Sequence, residues 1–544
     1  MTAPSLEGNQ SRPTAPELVL RLDGRDVPAR ELVGGKAHGI ARMRGNGLRT
    51  PPAFVVGIEA CQRYFAEGDA LIDDIWDQVM DGIAWLEAET GHTFGGGPEI
   101  PLLVSVRSGA ARSMPGMMDT ILNLGINDRT REQLAALVGA EFATDTQRRF
   151  RELYGAVVGL GDRLPPADPR EQLRAAIKAV FDSWNSPRAT AYRSHHAITD
   201  LHGTAVTVQA MAFGNLDDQS GTGVLFSRNP LTGAAEAFGE WLPRGQGEDV
   251  VSGRFDPLPL SALAAQMPTV HAELLSAARE LERQNTDVQD IEFTVESGAL
   301  YLLQTRNAKR SAHAAVRFAV ALQEEGLIDT REALRRVSTA HVCAVLEPTL
   351  APETRKSAEL LASGLPACPG IAQGVVVTDS DEAQDAADEG VDAVLVRETT
   401  SPDDVSGMIA AVGVVTELGG STSHAAVVSR ELHRPCVVGC GSGTLTGLAG
   451  REITVDGGSG EIFAGRLPLT ALSEDSDADL AKLLEWAGAA SDIAVHRPDA
   501  VPEGILTARV VDHTDPSTVA AALAAGHKHL ICEHPLPVLL TIGR

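Results

Sequence analysis

Cysteine is scarce in this chain: there are six in 544 residues (Cys61, Cys343, Cys368, Cys436, Cys440 and Cys532), scattered and with no C-x-x-C pair. That excludes a dense disulfide framework and makes the cytoplasm the expected compartment. Positive charge is also short. Forty-six basic against 73 acidic residues give a formal charge of −27 and a pI near 4.9, which disfavours diffuse attraction to nucleic acid or anionic membranes. Any phosphate the protein binds must therefore sit in a local basic pocket. No run of about 18 apolar residues occurs, so no membrane-spanning helix is expected. The first residues, MTAPSLEGNQSRPTAPE, lack both the charged start and the apolar stretch of a secretory signal. No repeat of fixed period is evident.

What is present is an ordinary globular composition, 43% hydrophobic and 22% charged, with 53 glycines and 30 prolines in 57.2 kDa. At about 100–200 residues per domain this length predicts three or four compact units. Two stretches read as joints: 347–370, mixed in proline, glycine, serine and charge, and 465–480, where an acidic cluster follows a glycine-rich strand. They divide the chain into residues 1–346, a linker at 347–364, a block at 365–466, and 467–544. The first block reads as mixed α+β, with strands in PLLVSVRSG, TAVTVQAMAFG and TGVLFSRNP and one helix across 133–158. In the second, VDAVLVRE, AVGVVTE and CVVGC are short strands and STSHAAVVSREL a helix, as in a swivelling β/α domain. The last piece reads as helix PSTVAAALAAG and then strand HKHLICE.

Four segments carry candidate chemistry. Lys36, in LVGGKAHGIA, is the only lysine in the first 177 residues. It fails the Walker spacing, because Arg30 and Ala37 stand where glycine and Ser/Thr are needed; a lysine at a glycine turn before a helix can still meet a phosphate or simply face solvent. Arg107, Ser108 and Gly109, with Arg112 beyond, follow a strand and offer guanidinium forks and close backbone approach to an anion, or form a solvated loop. Residues 287–307 read as a hairpin, with strands 289–296 and 300–306 around Ser297 and Gly298. If Glu292 pairs with Gln304, Asp290 lies opposite Arg306. All four polar groups then share one face, with Ile291, Phe293 and Val295 on the other. Adjacent carboxylates are tolerated best around a cation, so Asp290, Glu292 and Gln304 suit Mg²⁺ bridging to a nucleotide, with Arg306 on the anion; a plain polar face is the alternative. Finally, His424 falls in the first turn of a predicted helix, after a Gly-Gly loop and beside Ser421, Thr422 and Ser423 as possible caps. A phosphoryl group on that imidazole would be favoured by the helix N-terminus. His433 suits a charge at the helix C-terminus, and Cys436 and Cys440 suit the core.

Taken in order, SVRSGAARSMPGMMDTILNLG, GTAVTVQAMAFGN, SGTGVLFSRNP, QGEDVVSG, QDIEFT, LLQTRN, SGLPACPG and GGSTSHAAVVSRELHRPCVVGC resemble the landmarks of the pyruvate phosphate dikinase family over roughly residues 30–466. The segment SMPGMMDT favours the dikinase branch over the phosphoenolpyruvate synthases. The resemblance implies an ATP-grasp-like nucleotide-binding domain followed by a swivelling phosphohistidine domain. It also implies a reaction in which ATP and orthophosphate give AMP and pyrophosphate while the histidine keeps the β-phosphoryl for pyruvate. Carried over, Lys36, Arg107 and Arg306, with Ser108 and Gly109 in the same motif, match nucleotide-phosphate contacts. Asp290, Glu292 and Gln304 match the Mg²⁺ and nucleotide ligands, and His424 matches the phosphorylated histidine. Thr422 matches the threonine on which family regulators, a kinase and phosphorylase, act. Ser421 stands where the family usually has methionine.

Family members continue into a barrel that binds pyruvate and phosphoenolpyruvate and needs about 250 residues. Here AALAAGHKHLICEHPLPVLL resembles only the start of one, so residues 467–544 are expected to be a short remnant. The expected function is thus the nucleotide half-reaction, with a separate acceptor or barrel protein. The alternatives are a non-catalytic or regulatory nucleotide-binding paralogue, or a phosphotransferase to another small molecule.

Overall fold

The computed structural model of the chain describes residues 17–112, 114, 120–161, 163–195, 198, 203–250, 255, 257–347, 349–470, 473–502, 509–513 and 515–543. Most of the SMPGMMDT segment and the last three residues of QGEDVVSG lie outside the described residues. Two compact units form: residues 17–47 with the described residues of 51–211, and residues 48–50 with 212–543.

In the first unit five antiparallel strands, β1 (Val19–Arg21), β2 (Ala53–Val56), β3 (Val104–Gly109), β4 (Thr120–Leu124) and β5 (Ala205–Ala210), lie in the order β1-β2-β5-β3-β4. β2, β3 and β5 are buried along their whole length, which explains why their sequences are near-continuous apolar runs. The helix predicted across 133–158 is in fact two, Asp128–Leu137 and Ala140–Val158. Gly139 breaks it with a φ of 143°, a conformation open to glycine and closed to most other residues.

The Arg30–Gly45 helix is interrupted at Gly34, which has a φ of 78°. Gly35 N donates to Ala110 O at 2.9 Å and Arg30 Nε to Ala111 O at 2.7 Å, so this glycine turn is moored to the end of β3.

The second unit opens with a second antiparallel sheet of β6 (Gly221–Phe226), β7 (Phe238–Pro243), β8 (Leu258–Pro259), β9 (Gln289–Glu296) and β10 (Ala299–Asn307), in the order β10-β9-β6-β7-β8. After β11 (Thr349–Leu350) comes an eight-stranded sheet. Its strands are β12 (Leu360–Ser363), β13 (Leu365–Cys368), β14 (Ile371–Val377), β15 (Ala393–Arg397), β16 (Gly413–Thr416), β17 (Cys436–Val438), β18 (Glu452–Asp456) and β19 (Glu461–Ala464).

The order is β12-β19-β18-β14-β15-β16-β17-β13, and β14 to β17 run parallel. Parallel neighbours need crossovers. The last of these, between β16 and β17, contains the His424–Leu432 helix, whose Ala425, Ala426 and Val428 pack with Leu395, Val414 and Cys436. Entry to and exit from this sheet are tied together, because β20 (Leu469–Thr470) pairs with β11, Thr349 opposite Thr470.

The chain continues into a three-stranded parallel sheet of β21 (Ala494–His496), β22 (Arg509–Val510) and β23 (His529–Ile531). The helices Ala478–Ala490 and Pro535–Ile542 bury Leu480, Leu483, Leu536 and Leu540 against Val316 and Val342. The protein is thus a mixed α/β multidomain chain. No helix among the described residues is long and apolar enough to cross a membrane.

A methyl group on Gly34 would stand 2.0 Å from Gly109 O, whereas one on Gly47, also at positive φ (76°), would meet nothing within 4 Å. Gly47→Ala should cost only the left-handed backbone penalty of about 1–2 kcal/mol, and Gly34→Ala clearly more, as read by urea unfolding. Equal losses would show that the Gly34–Gly109 approach is slack.

Candidate functional site

In the first unit, the glycine turn brings Lys36 to the end of β3: a Cβ added to Gly109 would lie 3.6 Å from Lys36 Cβ. Arg107, Ser108 and Gly109 are not in a solvated loop. They are the last residues of β3 and are buried there, opposite Thr207, Val206 and Ala205 of β5. Gly109 N donates to Thr204 Oγ1 at 3.1 Å, so this amide is committed to the fold rather than held ready for an anion. Arg112, beyond the strand, is exposed.

In the second unit the hairpin has the register its alternation predicts. Gln304 pairs with Glu292 and Arg306 with Asp290, with one bulge between Leu302 and Gln304. Ile291, Phe293 and Val295 are fully buried on the opposite face. The polar face is not a wet edge either, since Asp290 and Gln304 are buried and Glu292 is half-buried. Arg306 Nε donates to Asp290 Oδ2 at 2.7 Å, while Asp290 Oδ1 is buried with no hydrogen-bond partner. Burial works against the Arg306 charge, but Asp290 and Glu292 outweigh it and hold its pKa above the ordinary arginine value.

The neighbouring strands extend this face. Val224 of β6 is paired both to Glu292 of β9 and to Glu240 of β7, and Phe226 both to Asp290 and to Phe238. Directly paired residues point to the same side of a sheet, so Glu240, Glu292, Gln304, Asp290 and Arg306 share one face. Onto it comes the loop ahead of His424. Glu240 Oε1 accepts from Ser421 N and Ser421 Oγ, both at 2.7 Å, and Glu240 Oε2 accepts from Thr422 Oγ1. A second tie joins Lys309 Nζ to Glu431 at 2.6 Å.

These contacts correct the expected capping. Ser423 is the N-cap residue of the His424–Leu432 helix, but its side chain makes no capping bond, and Ser421 and Thr422 spend their hydroxyls on Glu240. At the other end His433 occupies the C-cap with φ 52°. Burial, helped by Lys309, lowers its pKa, so a charged partner for the helix dipole is not what it supplies. Cys436 and Cys440 are buried as expected.

His424 itself opens the helix. Its Nδ1 lies 3.2 Å from Thr400 Oγ1, and its Nε2 is buried without a partner. Burial pushes its pKa down from 6.5 to about 4, partly opposed by Asp404. Asp404 is fixed by Ser401 N at 2.8 Å, Ser401 Oγ at 3.1 Å and Ser380 Oγ at 3.2 Å, with Arg397 Nη2 at 3.3 Å. Near neutrality the ring is therefore an uncharged base with one nitrogen engaged and the other open.

Sequence reasoning did not find Thr400, Asp404, Glu240 or Arg430, the fully buried arginine near the end of the same helix. Only Ser401 and Asp404 left a local signature, the capping pattern of SPDD.

The comparisons agree with this arrangement. Residues 71–273 match the family described as "Pyruvate phosphate dikinase, AMP/ATP-binding domain", and residues 390–460 match "PEP-utilising enzyme, mobile domain". An AMP/ATP-binding domain followed by a mobile domain of PEP-utilising enzymes is thus the class that fold and site define.

Similar proteins include "Pyruvate, phosphate dikinase 2" of Zea mays, 41% identical over 539 residues, 88% of this chain and 60% of that protein. "Pyruvate, phosphate dikinase 1, chloroplastic" of Arabidopsis thaliana is 40% identical over 88% of this chain and 55% of its own length. The chain belongs to the pyruvate phosphate dikinase family, and it spans about three-fifths of the length of the curated relatives it matches.

The depressed His424 pKa has a sign that can be checked. The folded state resists protonating this ring, so its contribution to stability is complete above the unfolded value near 6.5 and is lost as pH falls towards about 4. His424→Gln should flatten the stability profile between pH 6.5 and 4 relative to wild type in urea titrations. Parallel profiles would mean that His424 titrates like a solvated histidine.

Proposed function

We propose that the chain is an ATP-dependent phosphotransferase of the dikinase type, in which ATP and orthophosphate phosphorylate His424 and release AMP and pyrophosphate. The observation that carries this reading is the docking of the loop before His424, through Ser421, Thr422 and Glu240, onto the sheet face that bears Asp290, Glu292, Gln304 and Arg306.

In this reading residues up to 346 act as an ATP-grasp-like nucleotide-binding domain. Residues 365–466 are the phosphohistidine carrier, 347–364 form the linker, and 467–544 resemble the start of the family's barrel. By the same resemblance, Lys36, Arg107, Ser108 and Gly109 belong to nucleotide-phosphate contact motifs, and Asp290, Glu292, Gln304 and Arg306 are the nucleotide and metal ligands. The six free cysteines suit a reducing cytoplasm.

The chemistry follows from the ring's state. Protonated on Nδ1, which it donates to Thr400, His424 presents the Nε2 lone pair to the β-phosphorus. Nε2 forms the new bond, the bridge between α- and β-phosphates breaks, and AMP leaves with the bridging oxygen. Passage of the γ-phosphoryl to orthophosphate then yields pyrophosphate and leaves the β-phosphoryl on the ring.

The residues present fit a magnesium ion. Asp290 Oδ1 is buried and unpartnered beside Glu292 and Gln304, and Mg²⁺ characteristically takes one or two carboxylates and completes its shell with nucleotide phosphates and water. Consistent with so few protein ligands, no group of three or more His, Cys, Asp or Glu among the described residues is placed to hold a metal alone. When bound, the ion neutralises charge developing on the phosphates.

The destination of the phosphoryl group in this reading is pyruvate or another acceptor. Thr422 is the site for a regulatory kinase and phosphorylase in this reading. Its Oγ1 bonds to Glu240, and a phosphate there would set a dianion against a carboxylate.

Full-length protein incubated with β-labelled ATP, Mg²⁺ and orthophosphate should acquire an acid-labile label that is absent in His424→Ala. Label retained in that variant would sink the assignment. Glu292→Ala and Gln304→Ala should each lose AMP formation by at least about tenfold, the effect of removing one charge-assisted contact, with little loss of stability. Unchanged turnover in both would make the hairpin scaffolding only.

A further inference from the structure

Arg430 is fully buried, yet its Nε and Nη2 have no hydrogen-bond partner. Only Nη1 is used, donating to Ser421 O at 2.9 Å and Ala367 O at 3.1 Å. Side chains on a helix slant towards its N-terminus, which is how a residue in the last turn reaches back to the loop before the first. Its neighbours on the helix, Ala425, Ala426 and Val428, are apolar and buried, and a guanidinium among them costs free energy unless something uses it.

The user lies across the docking face. Arg430 sits 5.7 Å from the Phe226 ring centroid, and Phe226 is the direct strand partner of Asp290. Burial draws the Arg430 pKa down, and the thiols of Cys368 and Cys436 with the carboxylates of Asp290 and Glu240 oppose this. The carboxylate that acts on His424, by contrast, is Asp404.

We infer that Arg430 is a positioning residue for the phosphorylation of His424: it holds the Ser421 carbonyl from inside the carrier fold so that the other side of the same residue meets Glu240. Ser421 is then gripped from both sides, its carbonyl by a cation and its N–H and hydroxyl by a carboxylate. Because both grips act on one residue, fixing its carbonyl also limits the freedom of the N–H and hydroxyl that Glu240 must meet. The carboxylates of Asp290 and Glu240 attract the same cation, so the acidic sheet face selects the loop by charge as well as shape.

This inference rests on the proposed function, and the experiment separates the two. In the full chain, label on His424 is followed from ATP and, separately, from potassium phosphoramidate, a small donor that needs no docking onto the sheet. Arg430→Gln should slow labelling from ATP by about tenfold, the order expected for a lost charged hydrogen bond, with labelling from phosphoramidate changed less than about twofold. Arg430→Lys should recover part of the ATP rate, because the charge survives while the fork is lost.

If Arg430→Gln is labelled from ATP as fast as wild type, the inference is overturned. It is overturned too if both donors fail together in the Gln and Lys variants, since that marks a purely structural arginine. Should the Gln variant not fold, the Lys variant decides: slower from ATP alone supports the inference, and slower from both or neither overturns it. Wild type unlabelled from ATP would overturn the functional reading itself, and this inference with it.

Discussion

The Glu240 carboxylate is the interaction on which the site depends. It accepts from one backbone N–H and two hydroxyls of the loop that precedes His424, and it stands in the same cross-strand row as Glu292 and Gln304. One acidic side chain therefore aligns two structures that are far apart in sequence, the hairpin face and the start of the histidine helix. The loop is thereby held from the sheet side. Ser423 stands at the N-cap without making a capping bond, and the amides at the helix start keep their capacity for an anion.

The rest of the site is arranged around withheld charge. His424 is kept neutral by burial, with one nitrogen on Thr400 and the other unpartnered. Asp290 spends one oxygen on Arg306 and leaves the second buried without a donor. Arg430 uses one of its nitrogens and leaves two. Orphaned polar atoms cost stability wherever they are buried. Here five of the described orphan-bearing side chains, Asp290, Ser423, His424, Ser429 and Arg430, belong to the hairpin face and to the histidine helix with its N-cap, as expected of groups held for a ligand or a moving charge rather than for the fold. The β11–β20 pairing, which joins entry and exit of the eight-stranded sheet, lets that sheet be treated as one body carrying the histidine.

Much of this was legible because it is local. Alternation set Asp290 and Glu292 on one face, and the supposed pairing of Glu292 with Gln304, which adds Arg306 opposite Asp290, is the one found, reached through the bulge between Leu302 and Gln304; the glycine pair followed by polar residues put His424 in the first turn of the helix that it opens. What could not be read were partners separated by long stretches of chain. Glu240 lies 181 residues from Ser421, and nothing in FGEWLP distinguishes it from an exposed strand residue.

Thr400 was hidden in a loop whose only local signal, the SPDD cap, concerns its neighbours. Arg430 carries no local signal, since arginine near a helix C-terminus is ordinarily favoured there without burial. The break at Gly139 was missed because apolar spacing continues through it, and only the backbone shows that the glycine is at φ 143°. For Arg107 and its neighbours the sequence left an anion contact and a solvated loop both open, because small and charged residues follow the apolar run, whereas pairing with β5 keeps them in the sheet.

Hydrogen exchange at the Ser421 amide tests the central claim most directly, because that N–H donates to Glu240 and nowhere else in this account. In the full chain it should be protected well beyond an exposed loop amide. Glu240→Ala should remove that protection while amides of the His424–Leu432 helix interior keep theirs. A Ser421 amide that exchanges at the same rate with and without the Glu240 carboxylate would contradict the account.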